Sequence, residues 1–278
     1  PPRPLPRAGL HLPGSMHASL ADLRKTWDDP QAPVAALVFY RALVQSAATE
    51  PVEALTEALR ERGINPLPVF VASLKDAESA SVLASLFGEA RPSVVLNATA
   101  FAVGSAGRLH ENTPLDAPGA PVLQVVFSSS SQEGWSESDQ GLSIRDLAMH
   151  VVMPEVDGRI LTRAVSFKEQ APRDPRTQSA TMRFVPKPDR IAFVAEQAAR
   201  LARLARTPAG DRKLALILAN YPNKDGRLAN GVGLDTPASC AALMQALAGE
   251  GYAVEGAPAG ADELMARISE GPTNDPSD

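Results

Sequence analysis

An unbroken apolar run, Val34–Tyr40 (VAALVFY), constrains this chain more than any other feature. It has the length of a strand and no polar face, as expected of a strand buried on both sides. Three further runs follow it. Leu67–Val71 alternates Leu67, Val69 and Val71, and Ser93–Leu96 and Val122–Phe127 are short and apolar. Helical stretches separate them. Pro51 opens a helix with Val52, Leu55 and Leu59 on one face and Gly63 at its close, and a second helix covers about Ala77–Phe87. Strands alternating with helices of this length make βαβ units, hence an α/β domain on a parallel sheet of Rossmann-like or flavodoxin-like type.

The pattern assigns residues 1–33 to a proline-rich lead-in, with one short helix over Leu20–Trp27. Residues 34–185 form the first α/β domain, and 104–119 is a loop between strands three and four. After the four serines Ser128–Ser131 come a short helix around Trp135 and another over Ser143–Met149. His150–Met153 and Ile160–Phe167 read as extended, with Asp157-Gly158 as a hairpin turn between them. Lys168–Lys187 reads as a loop. Residues 186–278 are a linker helix from Pro188 to about Arg206 and the start of a second α/β domain. That start consists of a strand at Lys213–Ala219, a helix at Thr236–Gly249 and a further strand at Tyr252–Val254.

Composition excludes several classes. Twenty-seven Lys and Arg against 32 Asp and Glu give a net charge of −5, which argues against a nucleic-acid partner. No apolar run approaches the roughly 20 residues of a membrane span. The single cysteine, Cys240, rules out an internal disulfide and suits a reducing cytoplasm. The start, PPRPLPRAGLHLPGS, lacks the apolar core of a signal peptide, and both ends read as cuts through a longer polypeptide.

Ligands of open parallel sheets bind beyond the carboxyl ends of the strands. Those ends carry Tyr40 and Arg41, Asn97 and Thr99, and Ser128 in the first domain, and Asn220, Asn223, Asp225, Asn230 and Asp235 in the second. Polar strand ends also arise simply because turn backbone must be solvated or capped. His150 and Glu155 form the most chemically suggestive pair, a neutral imidazole able to ligate a divalent metal and a carboxylate able to ligate it or take a proton. His11, His17 and His110 sit in loop-like segments and give no comparable signal. The glycine-rich stretch Leu214–Ser239 matches neither GxxxxGK[ST] nor GxGxxG, since Thr236 stands where a third glycine is needed. It remains an amide-rich loop ending at a helix N-terminus that could hold an anion, or an ordinary capped βα loop.

The run LILANYPNKDGRLANGVGLDTPAS closely resembles the signature of cobaltochelatase large subunits of the CobN type, relatives of the large subunit of magnesium chelatase. LVFYRAL, LPVFVASLKD, VVLNATAFAV, PVLQVVFS, EGWSES and GLSIRDLAMHVVMPEVDGRILTRAVSFKE resemble the same family, in order along nearly the whole chain. The family's subunits are several times longer, which makes this chain an internal fragment. The resemblance implies insertion of Co²⁺ into hydrogenobyrinic acid a,c-diamide. The partners it implies are that macrocycle and separate AAA+ subunits, where ATP and Mg²⁺ would bind. It also implies that Glu155, in the PExDG segment, and His150 serve as catalytic and metal-guiding groups. RAVSFKE favours cobalt over the magnesium type, which would act on protoporphyrin IX. A docking segment without catalytic groups is the alternative within the family. A periplasmic-type binding protein shares the α/β pattern but not the motifs.

Overall fold

The computed structural model describes residues 5–105, 112–173, 175–219, 229–231 and 233–270. The chain divides into two compact units, Pro1–Ala205 and Arg206–Asp278.

In the first unit, β1 (Ala8–Leu12) and β2 (Ser15–Ala18) form an antiparallel hairpin, and α1 (Leu20–Arg24) follows. Then come β3 (Val34–Tyr40), α2 (Arg41–Gln45), α3 (Glu50–Arg60), β4 (Asn65–Val71), α4 (Ala77–Ala90) and β5 (Val94–Asn97). Next are β6 (Val122–Phe127), α5 (Gln132–Ser136) and α6 (Ile144–Leu147), which runs through a π-helical turn, Ala148–Val152, into α7 (Met153–Val156). The unit closes with β7 (Ile160–Gln170), β8 (Met182–Pro186) and α8 (Pro188–Arg206). One eight-stranded sheet collects them in the order β2-β1-β4-β3-β5-β6-β7-β8. Its five central strands are parallel. Taken in chain order these five stand 2-1-3-4-5, the flavodoxin-like arrangement.

The apolar runs are where the sequence pattern put them, and their burial explains it. Leu37, Phe39, Leu96 and Leu123 face α3 and α8, meeting Val52, Leu55, Leu59 and Val194. Ala36, Val38, Leu67 and Val69 face the other way, toward Leu83 and Phe87 of α4 and Leu23 of α1. Each central strand therefore buries both faces, which is why its sequence is uniformly apolar.

Four expectations are corrected. The lead-in is part of the sheet: β1 pairs antiparallel with β4, placing Ala8 and Leu10 in the core, and Gly14 turns the hairpin at φ 79°. Short alternation in AGLHL was obscured by the prolines around it. Secondly, His150–Met153 is helical. Ser143 starts the helix by accepting a hydrogen bond from Asp146 N (3.1 Å), and the helix passes through the wide turn before Pro154. Thirdly, Asp157-Gly158 makes no hairpin. Gly158, at φ 70°, ends α7 in the left-handed conformation usual after a helix, and the next strand runs parallel to β6. Fourthly, Lys168–Lys187 contains the end of β7 and all of β8, an antiparallel pair with Ser166 opposite Pro186.

The second unit contains α9 (Thr236–Gly249) and α10 (Ala261–Glu270). Asp235 caps α9, its Oδ1 accepting from Ala238 N at 3.0 Å. Leu214, Leu216 and Leu218 line a cleft of about 590 Å³ against Met244 and Leu247, while Ile217 is exposed. That alternation is the one a strand would show. Neither 213–219 nor 252–254 is a strand, however: both are segments without ladder pairing among the described residues.

At the sheet edge, Arg7 ties the start of β1 to α4 through Asp76 (Nη2 to Oδ1, 2.7 Å). Asp76 Oδ2 also caps α4 by accepting from Ser79 N at 3.0 Å. Arg7 first, then Ser79, hold the Asp76 carboxyl well below the usual carboxylate range. A depressed carboxylate contributes stability that is present above its unfolded pKa and lost as pH falls through the folded one. Asp76→Asn should therefore lower the melting temperature at pH 7 and leave it little changed at the most acid pH where the fold survives, as thermal melts across that range would read.

Candidate functional site

The order of the parallel strands reverses between β3 and β5, and in sheets of this order ligands bind in the crevice beyond the carboxyl ends at that point. Tyr40 ends β3. Its hydroxyl accepts from Ala100 N (3.1 Å) and donates to Ala100 O (3.0 Å), fastening the segment after β5 across the strand ends. Arg41 turns away, with Nη2 on Leu5 O at 2.8 Å. Asn97 and Thr99 lie fully buried beneath this segment. Asn97 Nδ2 donates to Gln124 Oε1 (2.8 Å), Gln124 Nε2 to Thr99 O (2.8 Å), and Thr99 Oγ1 to Asn97 Oδ1 (2.8 Å). These amides are engaged with each other, so they shape the crevice floor.

Ser128, also buried, donates its hydroxyl to Asp146 Oδ2 at 2.8 Å. Ser129 adds two bonds to the same carboxylate, from N (2.9 Å) and Oγ (2.7 Å). Asp146 thus fixes the helix carrying His150 and Glu155 to the turn after β6. One helical turn on lies His150, half-buried, its Nδ1 enclosed without a hydrogen-bond partner. Burial lowers the His150 pKa, the Asp146 charge opposes that shift, and Arg145 reinforces it. The imidazole is therefore neutral near pH 7 and keeps a lone pair for a metal or a proton.

The wide turn stands directly before Pro154. Met153 N bonds Ala148 O, five residues back. The next donor in that register would serve Met149 O, but it belongs to Pro154, which has no N–H. Met149 O instead accepts from Phe101 N at 2.9 Å, docking the segment after β5 onto the helix. Phe101 is held at φ 65°, unusual for a bulky residue and a form of strain that clusters at functional sites.

Glu155 points to the exposed side of this helix and His150 inward, so the two do not converge as a ready-made chelate. Among the described residues no group of three or more His, Cys, Asp or Glu could hold a metal ion. Around Glu155 the exposed face is apolar: Ile144, Leu147, Val152 and Val156, with Ile144 at 81% exposure. Ile144, Ala148, Val152 and Val156 repeat every fourth residue, a helical stripe left facing outward. Reading Val151-Val152 as strand hid that stripe. Asp146, Asp157 and Arg159 also escaped notice, since their partners lie far off in sequence.

In the second unit, Asp235 is occupied as a cap and Asn230 is half-buried. Asn220, Asn223 and Asp225 lie outside the described residues, as does His110.

The profile of the CobN/Magnesium Chelatase family matches residues 1–278. The chain belongs to the CobN/magnesium chelatase family. Two similar proteins are named as the CobN subunit of aerobic cobaltochelatase. The one from Sinorhizobium sp is 48% identical over 99% of this chain and 22% of its own length. The one from Pseudomonas aeruginosa is 41% identical with the same coverage. The corresponding magnesium-chelatase protein of Rhodobacter capsulatus, its H-type component, is 24% identical over 96% of the chain and 23% of its own length. Among solved structures, the catalytic subunit of cobaltochelatase from Mycobacterium tuberculosis superposes with a TM-score of 0.78 at 32% identity, over 97% of this chain and 22% of that one. The chain is thus a fragment-sized member of the CobN family, spanning under a quarter of these relatives' length. Among its described residues no helix is long and apolar enough to cross a membrane.

The electrostatics at His150 are testable in the chain itself. Its imidazole should titrate below an exposed histidine in isotope-edited NMR. Replacing the exposed Arg145 by Gln should move that midpoint upward, because it removes a positive neighbour.

Proposed function

We propose that this chain forms the part of a CobN-type cobaltochelatase that receives the macrocycle and accepts its ring protons as Co²⁺ enters. The single observation that carries the reading is one carboxylate, Glu155, standing in an exposed apolar helix face beside a strand-end crevice. Metal insertion into a tetrapyrrole needs a surface for the hydrocarbon face of a ring whose carboxylates and carboxamides lie at its rim, and a base for the departing N–H protons. Ile144, Val152 and Val156 supply the first and Glu155 the second. Once a ring covers the face, water leaves Glu155, and desolvation favours the protonated carboxyl that the reaction produces. His150, neutral and with an unpaired ring nitrogen, is the group suited to guide the metal or relay the proton.

Identity to the CobN relatives well above that to the magnesium-type protein supports Co²⁺ as the metal and hydrogenobyrinic acid a,c-diamide as the macrocycle. ATP and Mg²⁺ are assigned to separate AAA+ subunits, and the complex to the cytoplasm. Of the strand-end groups, Tyr40 and the backbone it fastens border the crevice. Asn97, Thr99 and Ser128 hold its floor.

In the full-length large subunit with its ATPase partners, Glu155→Gln should slow metal insertion by about 10²-fold, the scale of lost general-base catalysis. Macrocycle binding, followed by absorbance, should stay within about twofold, since Gln keeps the shape and the polar contact. Turnover equal to wild type would remove Glu155 from the mechanism. Val152→Ser should instead weaken macrocycle binding by about tenfold, roughly the loss of one buried valine contact. A Val152→Ser protein with unaltered affinity but lower thermal stability would show that the face packs on another part of the polypeptide.

A further inference from the structure

Beyond Glu155 the chain buries an ion pair that the proton chemistry does not use. Asp157 follows α7 directly and Arg159 opens the way into β7. Arg159 Nη2 lies 2.6 Å from Asp157 Oδ2, and both side chains are only 1% exposed. The same carboxylate accepts Val103 N on Oδ2 (2.8 Å) and Gly104 N on Oδ1 (2.9 Å). Arg159 Nε and Nη1 are buried with no hydrogen-bond partner, and Tyr40 and Asp116 stand near enough to act on its charge. A buried pair with donors left unsatisfied is a poor way to add stability, since desolvation offsets the attraction. Its geometry suits placement instead.

The segment after β5 is fastened to the helix at two points. Phe101 N holds Met149 O at the wide turn, and Val103 and Gly104 hold Asp157 just past Glu155. The helical stretch carrying His150 and Glu155 lies between these ties. Gly104 leaves room at the second: a Cβ there would lie 3.1 Å from Asp157 Oδ1, so the carboxylate would have to give by a few tenths of an ångström.

We infer that Asp157 is a positioning residue for metal insertion: paired with Arg159, it clamps the Val103-Gly104 backbone and so fixes where Glu155 stands relative to the crevice. This rests on Glu155 as the proton acceptor proposed above. Asp157 touches neither macrocycle nor metal in this scheme and acts through Glu155.

The test uses the full-length large subunit with its ATPase partners and hydrogenobyrinic acid a,c-diamide as probe. Asp157→Asn keeps the size and one acceptor oxygen but removes the charge. It should lower kcat for insertion about tenfold, leave macrocycle KM within about twofold, and speed hydrogen exchange of the Val103 and Gly104 amides at least tenfold. Gly104→Ala, which displaces the same contact from the other side, should shift kcat and exchange in the same direction by less, and stands in should Asp157→Asn fail to fold. In an E155Q background, Asp157→Asn should add no further loss, because a residue acting through Glu155 has nothing left to position. Faster exchange with unchanged kcat, unchanged exchange, or a full additional loss in the E155Q background would each overturn the inference. Wild-type turnover in E155Q alone would instead overturn the reading of Glu155, so the two failures are distinct.

Discussion

At the carboxyl ends of the parallel strands the ladder stops, and the backbone beyond it depends on one buried amide pair. Asn97 on β5 and Gln124 on β6 bond each other across the sheet, and between them hold Thr99 by its carbonyl, amide and hydroxyl. In that dry setting every unpaired amide would carry its full desolvation penalty, so the network is stable only when complete. Because it is complete, the segment after β5 leaves the sheet in one direction and reaches Tyr40 on one side and the Met149 carbonyl on the other. Without that fixed departure neither Phe101 nor the Asp157 contacts would meet their partners.

Two carboxylates extend the same logic to the helix. Asp146 takes three bonds from Ser128 and Ser129 near its start, and Asp157 takes two backbone bonds and one guanidinium at its end. Glu155, between them, has no such ties and is exposed. Among the described residues, two carboxylates are thus tied at the ends of the helical stretch and the one between them is left exposed.

The sequence revealed the sheet because burial on both faces leaves an unmistakable apolar run, as in Val34–Tyr40 and Val122–Phe127. Helices with a clear stop or start, such as those opening at Pro51 and Pro188, were equally legible. Three things were not. The β1–β2 hairpin is short and lies among prolines, so local composition outweighed its two-residue alternation. The His150–Met153 stretch carries two β-branched residues and is followed by Pro154 and Asp157-Gly158, each a local signal for strand or turn. A helix begun at Ser143 overrode all three. The ties of Asp146, Asp157 and Arg159 depend on which strands become neighbours, which no local pattern encodes. Glu155 and His150 stood out by residue type and gained a catalytic role only through family resemblance, whereas the apolar stripe on their helix was present in the spacing and was masked by the strand reading.

Pro154 has a consequence for the angular phase of this helix. A π turn carries one residue more than a regular turn, so annealing it would rotate everything beyond it by about 100° around the axis. Pro154 is now buried and Glu155 exposed. After such a rotation Glu155 would swing away from the outward face. The proline ring would meet the carbonyl of His150 in a regular turn, which opposes relaxation into that phase. A residue with no polar hydrogen of its own thereby sets the direction in which the carboxylate next to it points.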